Sequence, residues 1–307
     1  MTTAKKYLSL IKFSHTIFAM PFAMIGFFLG FKIFQKVYKG DFLLIDMSYW
    51  ETFRLLFKEK WVTLLLIILC MIFARSAAMA FNRYLDRSFD ARNPRTAVRE
   101  IPAGILNADS VLWFTIISAA LFVICTYFIN PVCFYLSPAA LLVVLGYSYT
   151  KRFTALCHVI LGIGLSLAPI GAYLAVTGRF DVLPVLFSFA VVFWVSGFDI
   201  IYALQDEEFD RKNNLYSIPS TLGKRKALNI STALHVLSAA CVIAAGIIGG
   251  FGWLYWIGIL VFAGMLIYQH SIVTPTDLRR VNLAFMTANG IASVVFAVFV
   301  ITDLLIH

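Results

Sequence analysis

Long apolar runs separated by short polar connections set the pattern of this chain. Runs near 13–34, 61–81, 109–129, 132–149, 154–177, 181–205, 228–251, 253–272 and 282–304 are each about the length that crosses a bilayer as a helix. They predict nine membrane helices. The 13–34 run follows Lys5 and Lys6, but it is longer than a signal-peptide core and carries no small-residue cleavage box, so it reads as the first membrane helix. Asn130-Pro131 divides the third run from the fourth. Between 32 and 60 the chain turns mixed and polar, and Trp50 to Lys58 predicts an amphipathic helix lying on the membrane surface. No soluble domain, linker or short-period repeat interrupts the pattern. The expected fold is all-α, a single polytopic membrane bundle over 1–307.

Composition agrees: 61% of the 307 residues are hydrophobic and only 13% charged, with a mean hydropathy of +0.86. The net charge of +9 raises the question of nucleic acid. No folded basic domain is present to bind it, and the charge is distributed as the positive-inside rule requires. Counting loops alternately from the N-terminus, seventeen basic residues fall on one side, seven on the other, and Arg75 inside a span. The richer side, with the N-terminus, is expected in the cytoplasm, and the C-terminus outside. The five cysteines form no CxxC pair and read as free thiols. The five histidines have no spacing that would put two on one helix face as metal ligands, and only His15 falls near a candidate site.

The chemistry concentrates in two segments. Asn82, Asp86 and Asp90 follow the second run at i, i+4 and i+8, so a helix continuing out of the membrane would stack three oxygen-bearing side chains on one face. Adjacent carboxylates repel, a cost that a divalent cation between them offsets. Arg83, Arg87, Arg92, Arg95 and Arg99 surround them. The second segment, Asp199 to Lys212, leaves the sixth run four helices later and therefore in the same direction. Asp206 and Asp210 repeat the i, i+4 spacing, Tyr202 takes the place of Asn82, and the chain reads as two pseudo-repeat halves, roughly 1–150 and 151–307. A lone DxxxD at a helix end is more often a solvated charged face. Two such clusters beside basic loops at a membrane surface suit magnesium ions on the diphosphate of a lipid. The acids are expected at helix ends outside the packed bundle.

Asn82-x-x-x-Asp86-x-x-x-Asp90 followed by Arg95-Thr96, together with Asp199-x-x-Tyr202-Ala203-x-x-Asp206-x-x-x-Asp210, resembles the two signature motifs of UbiA-type membrane prenyltransferases. Lys12-Phe13-Ser14-His15, the Tyr147 to Thr154 stretch with Lys151-Arg152, and Ser217-Ile218-Pro219-Ser220 support the resemblance along the chain. It implies helices around a central cavity, lidded on the cytoplasmic side by the motif loops, in a bacterial inner membrane. It also implies transfer of a polyprenyl chain from its diphosphate to a 4-hydroxybenzoate-type aromatic acid, in quinone biosynthesis. Mg2+ would be the cofactor, held by Asn82, Asp86, Asp90, Asp206 and Asp210. Lys151 would contact the diphosphate, and Arg152 either the diphosphate or the acceptor's carboxylate, which a guanidinium can grip through two parallel hydrogen bonds. Arg95 and Tyr202 belong to the motifs; Arg75, within the second helix, is expected to face the cavity. Asp199 would orient Tyr202 or pair with Arg75, and Arg75 and His15 are the next candidates for holding the acid. No obligate protein partner is evident.

Two alternatives stay open. Within the same chemistry the acceptor is a hydroxynaphthoate of menaquinone biosynthesis, or else haem or a chlorophyll precursor. From another class, an ion-coupled transporter would place charges at mid-membrane on several broken helices, whereas these acids gather at helix ends on one side.

Overall fold

The computed structural model describes residues 3–11, 19–39 and 49–306. All regular structure among them is helical. In chain order the helices are α1 (Thr3–Leu10), α2 (Met20–Lys39), α3 (Tyr49–Leu85), α4 (Arg87–Arg92), α5 (Ala108–Ile129), α6 (Pro131–Thr150), α7 (Cys157–Thr177), α8 (Val182–Ala203), α9 (Glu207–Lys212), α10 (Ile218–Leu222), α11 (Lys224–Gly249), α12 (Trp253–Ile272) and α13 (Asn289–Ile306). Among the described residues eight helices are long and apolar enough to cross a membrane, and Met20–Ile33 of α2 supplies a shorter apolar stretch. These correspond to the nine runs in the sequence.

Local signals end the helices where the sequence predicts. Asn130 accepts from Cys133 N–H and caps α6, with Pro131 at its first position, so one residue closes α5 and opens α6. Gly178, at φ +68, terminates α7 in the left-handed region. One expectation fails. Trp50 to Lys58 is no separate surface helix; it is the first part of α3, a continuous helix of 37 residues. Phe53 and Phe57 turn inward there and pack on Phe31 of α2, which an isolated amphipathic segment would have no reason to do.

Helix α8 is the axis of the C-terminal half, packed along α7 on one side and α11 on the other. Phe22, Phe187, Trp194, Tyr255, Phe262 and Phe296 from α2, α8, α12 and α13 form the main apolar cluster. Because lipid offers no hydrophobic drive between spans, close backbone approach must hold them together. A Cβ on Gly26 would stand 2.0 Å from the Pro169 carbonyl of α7, and one on Gly162 of α7 2.5 Å from the Val192 carbonyl of α8. On the other side α3, α5, α6 and α7 leave a cavity of about 410 Å³ between them.

Candidate functional site

Helix α3 does not run straight through the first acidic segment. It stops at Leu85, and Asp86, at φ −89 and ψ 5, is the N-cap of the six-residue α4, which carries Asp90. The i→i−4 backbone bonds persist across the break, Asp86 N–H to Asn82 O at 2.9 Å and Asp90 N–H to Asp86 O at 2.8 Å. The predicted spacing therefore survives a kinked helix. The second segment is built the same way. Helix α8 ends at Ala203, a 3-10 turn covers Leu204–Asp206, and Asp206 caps the six-residue α9, which carries Asp210.

Salt bridges join the loops at this end of the bundle. Arg95 donates from Nε to Asp206 Oδ1 at 2.9 Å, meets Oδ2 through Nη2, and donates from Nη1 to the Tyr202 hydroxyl at 3.1 Å. Asn93 Nδ2 adds a bond to Asp206 Oδ1 at 3.2 Å. The two acidic segments are thus stitched together. The α6–α7 loop reaches both of them: Lys151 Nζ lies 2.8 Å from Asp210 Oδ1, and Arg152 Nη2 donates to Asp86 Oδ1 at 2.9 Å and to Leu85 O at 3.2 Å. Arg99 pairs with Asp90 at 2.7 Å, Asn82 Nδ2 donates to Asp86 Oδ2 at 3.1 Å, and Ser217 Oγ donates to Asp210 Oδ2 at 3.0 Å.

These contacts overturn the expectation that the acids lie outside the packed bundle. Asp90, Asp206 and Asp210 are 6%, 9% and 0% exposed. The motif loops fold back over the helix ends, and the cations they carry compensate the buried carboxylates. Burial pushes the Asp86 carboxyl above the ordinary range, with Asp90 adding to the effect and Arg152, Lys151 and Arg99 opposing it. For Lys151 burial works to lower the pKa, and the Asp210 carboxylate outweighs it, so the ammonium sits above its usual value.

One further expectation changes. Asp199 pairs neither with Arg75 nor with Tyr202; its Oδ2 is 2.6 Å from His158 Nδ1. His158 opens α7, which packs along α8, whereas Arg75 stands on α3 across the cavity. His15, with Lys12, lies outside the described residues; among the described residues a histidine beside the site is His158. Sequence reasoning missed it because its partner lies 41 residues away. Asn93 was missed too, although Asn-Pro is a turn signal that could have marked the loop as folded. Ser217-x-x-Ser220 is a readable capping box, and both halves of it form.

Arg75 lines the cavity, as expected, and its Nε is buried with no hydrogen-bond partner among the described residues. It stands seven residues before Asn82 on α3, about 10 Å along the helix from the acidic segment. Tyr147, four residues before Lys151 on α6, lines the same end. Met71, Val143, Leu165 and Ala168 belong to the apolar remainder of the wall.

The donor set fits a hard divalent cation. It consists of carboxylate and amide oxygens, and Asp90 Oδ2 is buried without a hydrogen-bond donor. Among the described residues no three acidic, histidine or cysteine side chains converge as one ligand cluster.

A family model described as the UbiA prenyltransferase family matches residues 56–291. A 4-hydroxybenzoate octaprenyltransferase of Tolumonas auensis is 33% identical over 193 residues, 62% of this chain and 68% of that protein. A protein of the same name from Nitrosomonas europaea is 35% identical over 165 residues, and there the chain spans 55% of the relative's length. Among solved structures, a UbiA homologue from Aeropyrum pernix K1 superposes with a TM-score of 0.73 at 26% identity, covering 93% of this chain and 95% of that one. A UbiA homologue from Archaeoglobus fulgidus, bound to DMAPP and Mg2+, shares the fold at a TM-score of 0.67 and 20% identity, covering 98% of this chain and all of that one.

Proposed function

The chain belongs to the UbiA prenyltransferase family, and on that premise we propose that it transfers a polyprenyl chain from its diphosphate to a small aromatic acid of the 4-hydroxybenzoate type. The observation that carries this reading is a juxtaposition. Two acidic segments, tied together by Arg95 and Asp206 and flanked by Lys151 and Arg152, stand one to two helical turns from an apolar cavity whose wall includes Arg75.

In this reading Asn82, Asp86, Asp90, Asp206 and Asp210 hold magnesium, which neutralises the diphosphate and makes it a leaving group. Lys151 and Arg95 supply positive charge to the same phosphates. Both are paired with aspartates, so each exchanges part of that pairing for the substrate's oxygens. The cavity takes the isoprenoid, and its apolar walls exclude water from the allylic centre. Arg152 is held by Asp86, Leu85 O and Ser148 O, which makes it a support of the first acidic segment. Among the described residues Arg75 is the cation in the cavity wall, and it would receive the acceptor's carboxylate there, away from the phosphates.

Names and ligands of the relatives support this assignment: the curated relatives are 4-hydroxybenzoate octaprenyltransferases, and the Archaeoglobus fulgidus homologue of the same fold was solved with DMAPP and Mg2+ and with GPP and Mg2+. The matching construction of the two acidic segments supports two pseudo-repeat halves, roughly 1–150 and 151–307. The excess of basic residues on one side supports a cytoplasmic site, and the bacterial source of the curated relatives supports an inner membrane. The test is incubation of membranes containing the protein with labelled prenyl diphosphates and a panel of benzoates and naphthoates. A prenylated benzoate identified by mass is the expected product. Diphosphate release with no aromatic product would overturn the acceptor assignment.

A further inference from the structure

We propose that Asn289 is a positioning residue for the transfer reaction: it fixes a π turn that seats Phe285 against Tyr202, and Tyr202 in turn aims Arg95 at Asp206. The proposal rests on the prenyl-transfer reading above. It adds to that reading two residues of the last membrane span, which lies outside both acidic segments.

The last span does not begin as a regular α-helix. Leu283–Ala288 form a π-helical turn, wider than an α turn by one residue, and Asn289 follows as the first residue of α13. The backbone N–H of Asn289 goes to Met286 O, so it serves neither Phe285 O, its partner in an α register, nor Ala284 O, its partner in a π register. The side chain takes both: Nδ2 donates to Phe285 O at 2.9 Å and to Ala284 O at 3.3 Å. Oδ1 accepts from Trp194 Nε1 of α8 at 2.9 Å and from Gln269 Nε2 of α12 at 2.7 Å. The amide thus uses both donors and both lone pairs. Asn289, Trp194 and Gln269 are each 0% exposed. Buried amide bonds between membrane helices add little strength, and what this one supplies is register. Were the turn to tighten to the α period, Phe285 would swing by about 100° around the helix axis.

Phe285 is the side chain that this register aims. Its ring centroid stands 4.3 Å from that of Tyr202 and 5.5 Å from that of Phe198. Trp194, Phe198 and Tyr202 fall at i, i+4 and i+8 of α8, so one face of that helix runs from the Asn289 amide to the site. Tyr202 meets Arg95 twice: its hydroxyl accepts from Nη1 at 3.1 Å, and the guanidinium carbon lies 5.4 Å from its ring centroid. The same guanidinium grips Asp206. A Tyr202 without Phe285 behind it could turn away and release both contacts. Arg95 would then lose its aim at the phosphates, where a displacement of about 1 Å is enough to slow a reaction.

The experiment uses the full chain in detergent with geranyl diphosphate and 4-hydroxybenzoate, and rates are taken per folded enzyme. Phe285→Ala and Asn289→Leu should each lower kcat/KM for geranyl diphosphate by roughly tenfold and leave the KM for 4-hydroxybenzoate unchanged. Phe285→Tyr, which keeps the ring, should stay near the wild type. Asn289→Ser, whose hydroxyl can still bond the Phe285 carbonyl, should recover much of what Asn289→Leu loses; Asn289→Ala replaces Asn289→Leu if the latter does not fold. On a Tyr202→Ala background neither Phe285→Ala nor the Asn289 substitution should cost anything further, because the residue they act through is gone. A merely structural role gives a different pattern: lower melting temperatures, native kinetic constants in the folded fraction, and losses that persist beside Tyr202→Ala. That pattern, or an Asn289→Ser no better than the apolar variant, overturns the proposal. A wild type that forms no prenylated product overturns the functional reading itself and this proposal with it.

Discussion

Asp206 receives three hydrogen bonds from Arg95 and Asn93, more than any other acid of the site, and it joins the two acidic segments. Asp206→Asn keeps the volume and one acceptor but removes the charge. Turnover should fall by at least about 10²-fold, because the lost group acts on charge that develops in the transition state; product formation per folded enzyme checks it. Near-native turnover would return the second cluster to a merely structural ion pair. Arg75 carries the second prediction at this scale. A hydrogen bond to a charged group is worth about 1.5–3 kcal/mol. Arg75→Ala should therefore raise the acceptor KM by roughly one to two orders of magnitude and leave the prenyl diphosphate KM nearly unchanged. Arg152→Ala, which frees Asp86, should move the magnesium and diphosphate dependence instead. If Arg152→Ala selectively weakens the acceptor, the carboxylate lies there and the assignment of Arg75 is wrong.

At the scale of elements, the site depends on helices that stop in the right place and pack closely enough to hold their ends still. The 3.6-residue period stacks Asn82, Asp86 and Asp90, and the kink at Asp86 lets α4 fold over the bundle. Loops 93–107 and 213–217 then bring Asn93, Arg95 and Ser217 onto the acids. Close packing of α2 on α7 is the most vulnerable contact. In Gly26→Ala the added methyl would stand 2.0 Å from backbone oxygen, an atom that cannot rotate away. Overpacking of this kind costs about 1–3 kcal/mol, so the variant should unfold at lower temperature in detergent. Since α2 carries none of the acids, residual folded enzyme should bind magnesium and diphosphate with native constants. An unchanged melting temperature would show that α2 and α7 can move apart freely.

For the whole molecule, the proposed function divides the labour between the apolar cavity, which would take the lipid tail, and the polar helix ends, which would take the diphosphate. Such a division requires a counter-ion, since four aspartates facing a diphosphate would otherwise repel it. Excess chelator should abolish turnover, and added magnesium should restore it, as followed by diphosphate release. Full activity in chelator would remove the metal from the proposal and leave Lys151, Arg95 and Arg152 to neutralise the phosphates alone.

What the sequence determined by itself was whatever depends on short range. Run length and hydropathy specify the spans, Asn130-Pro131 and Gly178 specify their ends, and the i, i+4 spacing marks Asp86, Asp90, Asp206 and Asp210 because a helix turn converts sequence distance directly into a shared face. Only the tertiary structure decided which cation meets which acid. Arg152 and Asp86 are 66 residues apart, His158 and Asp199 41, and Asn93 and Asp206 113. No periodicity spans such intervals. The pairings arise where helix packing brings three loops to one end of the bundle, and a buried carboxylate must take the nearest donor that the packing supplies. The same reason joined Trp50 to Lys58 to α3: its phenylalanines had a partner in Phe31, which the linear pattern could not reveal.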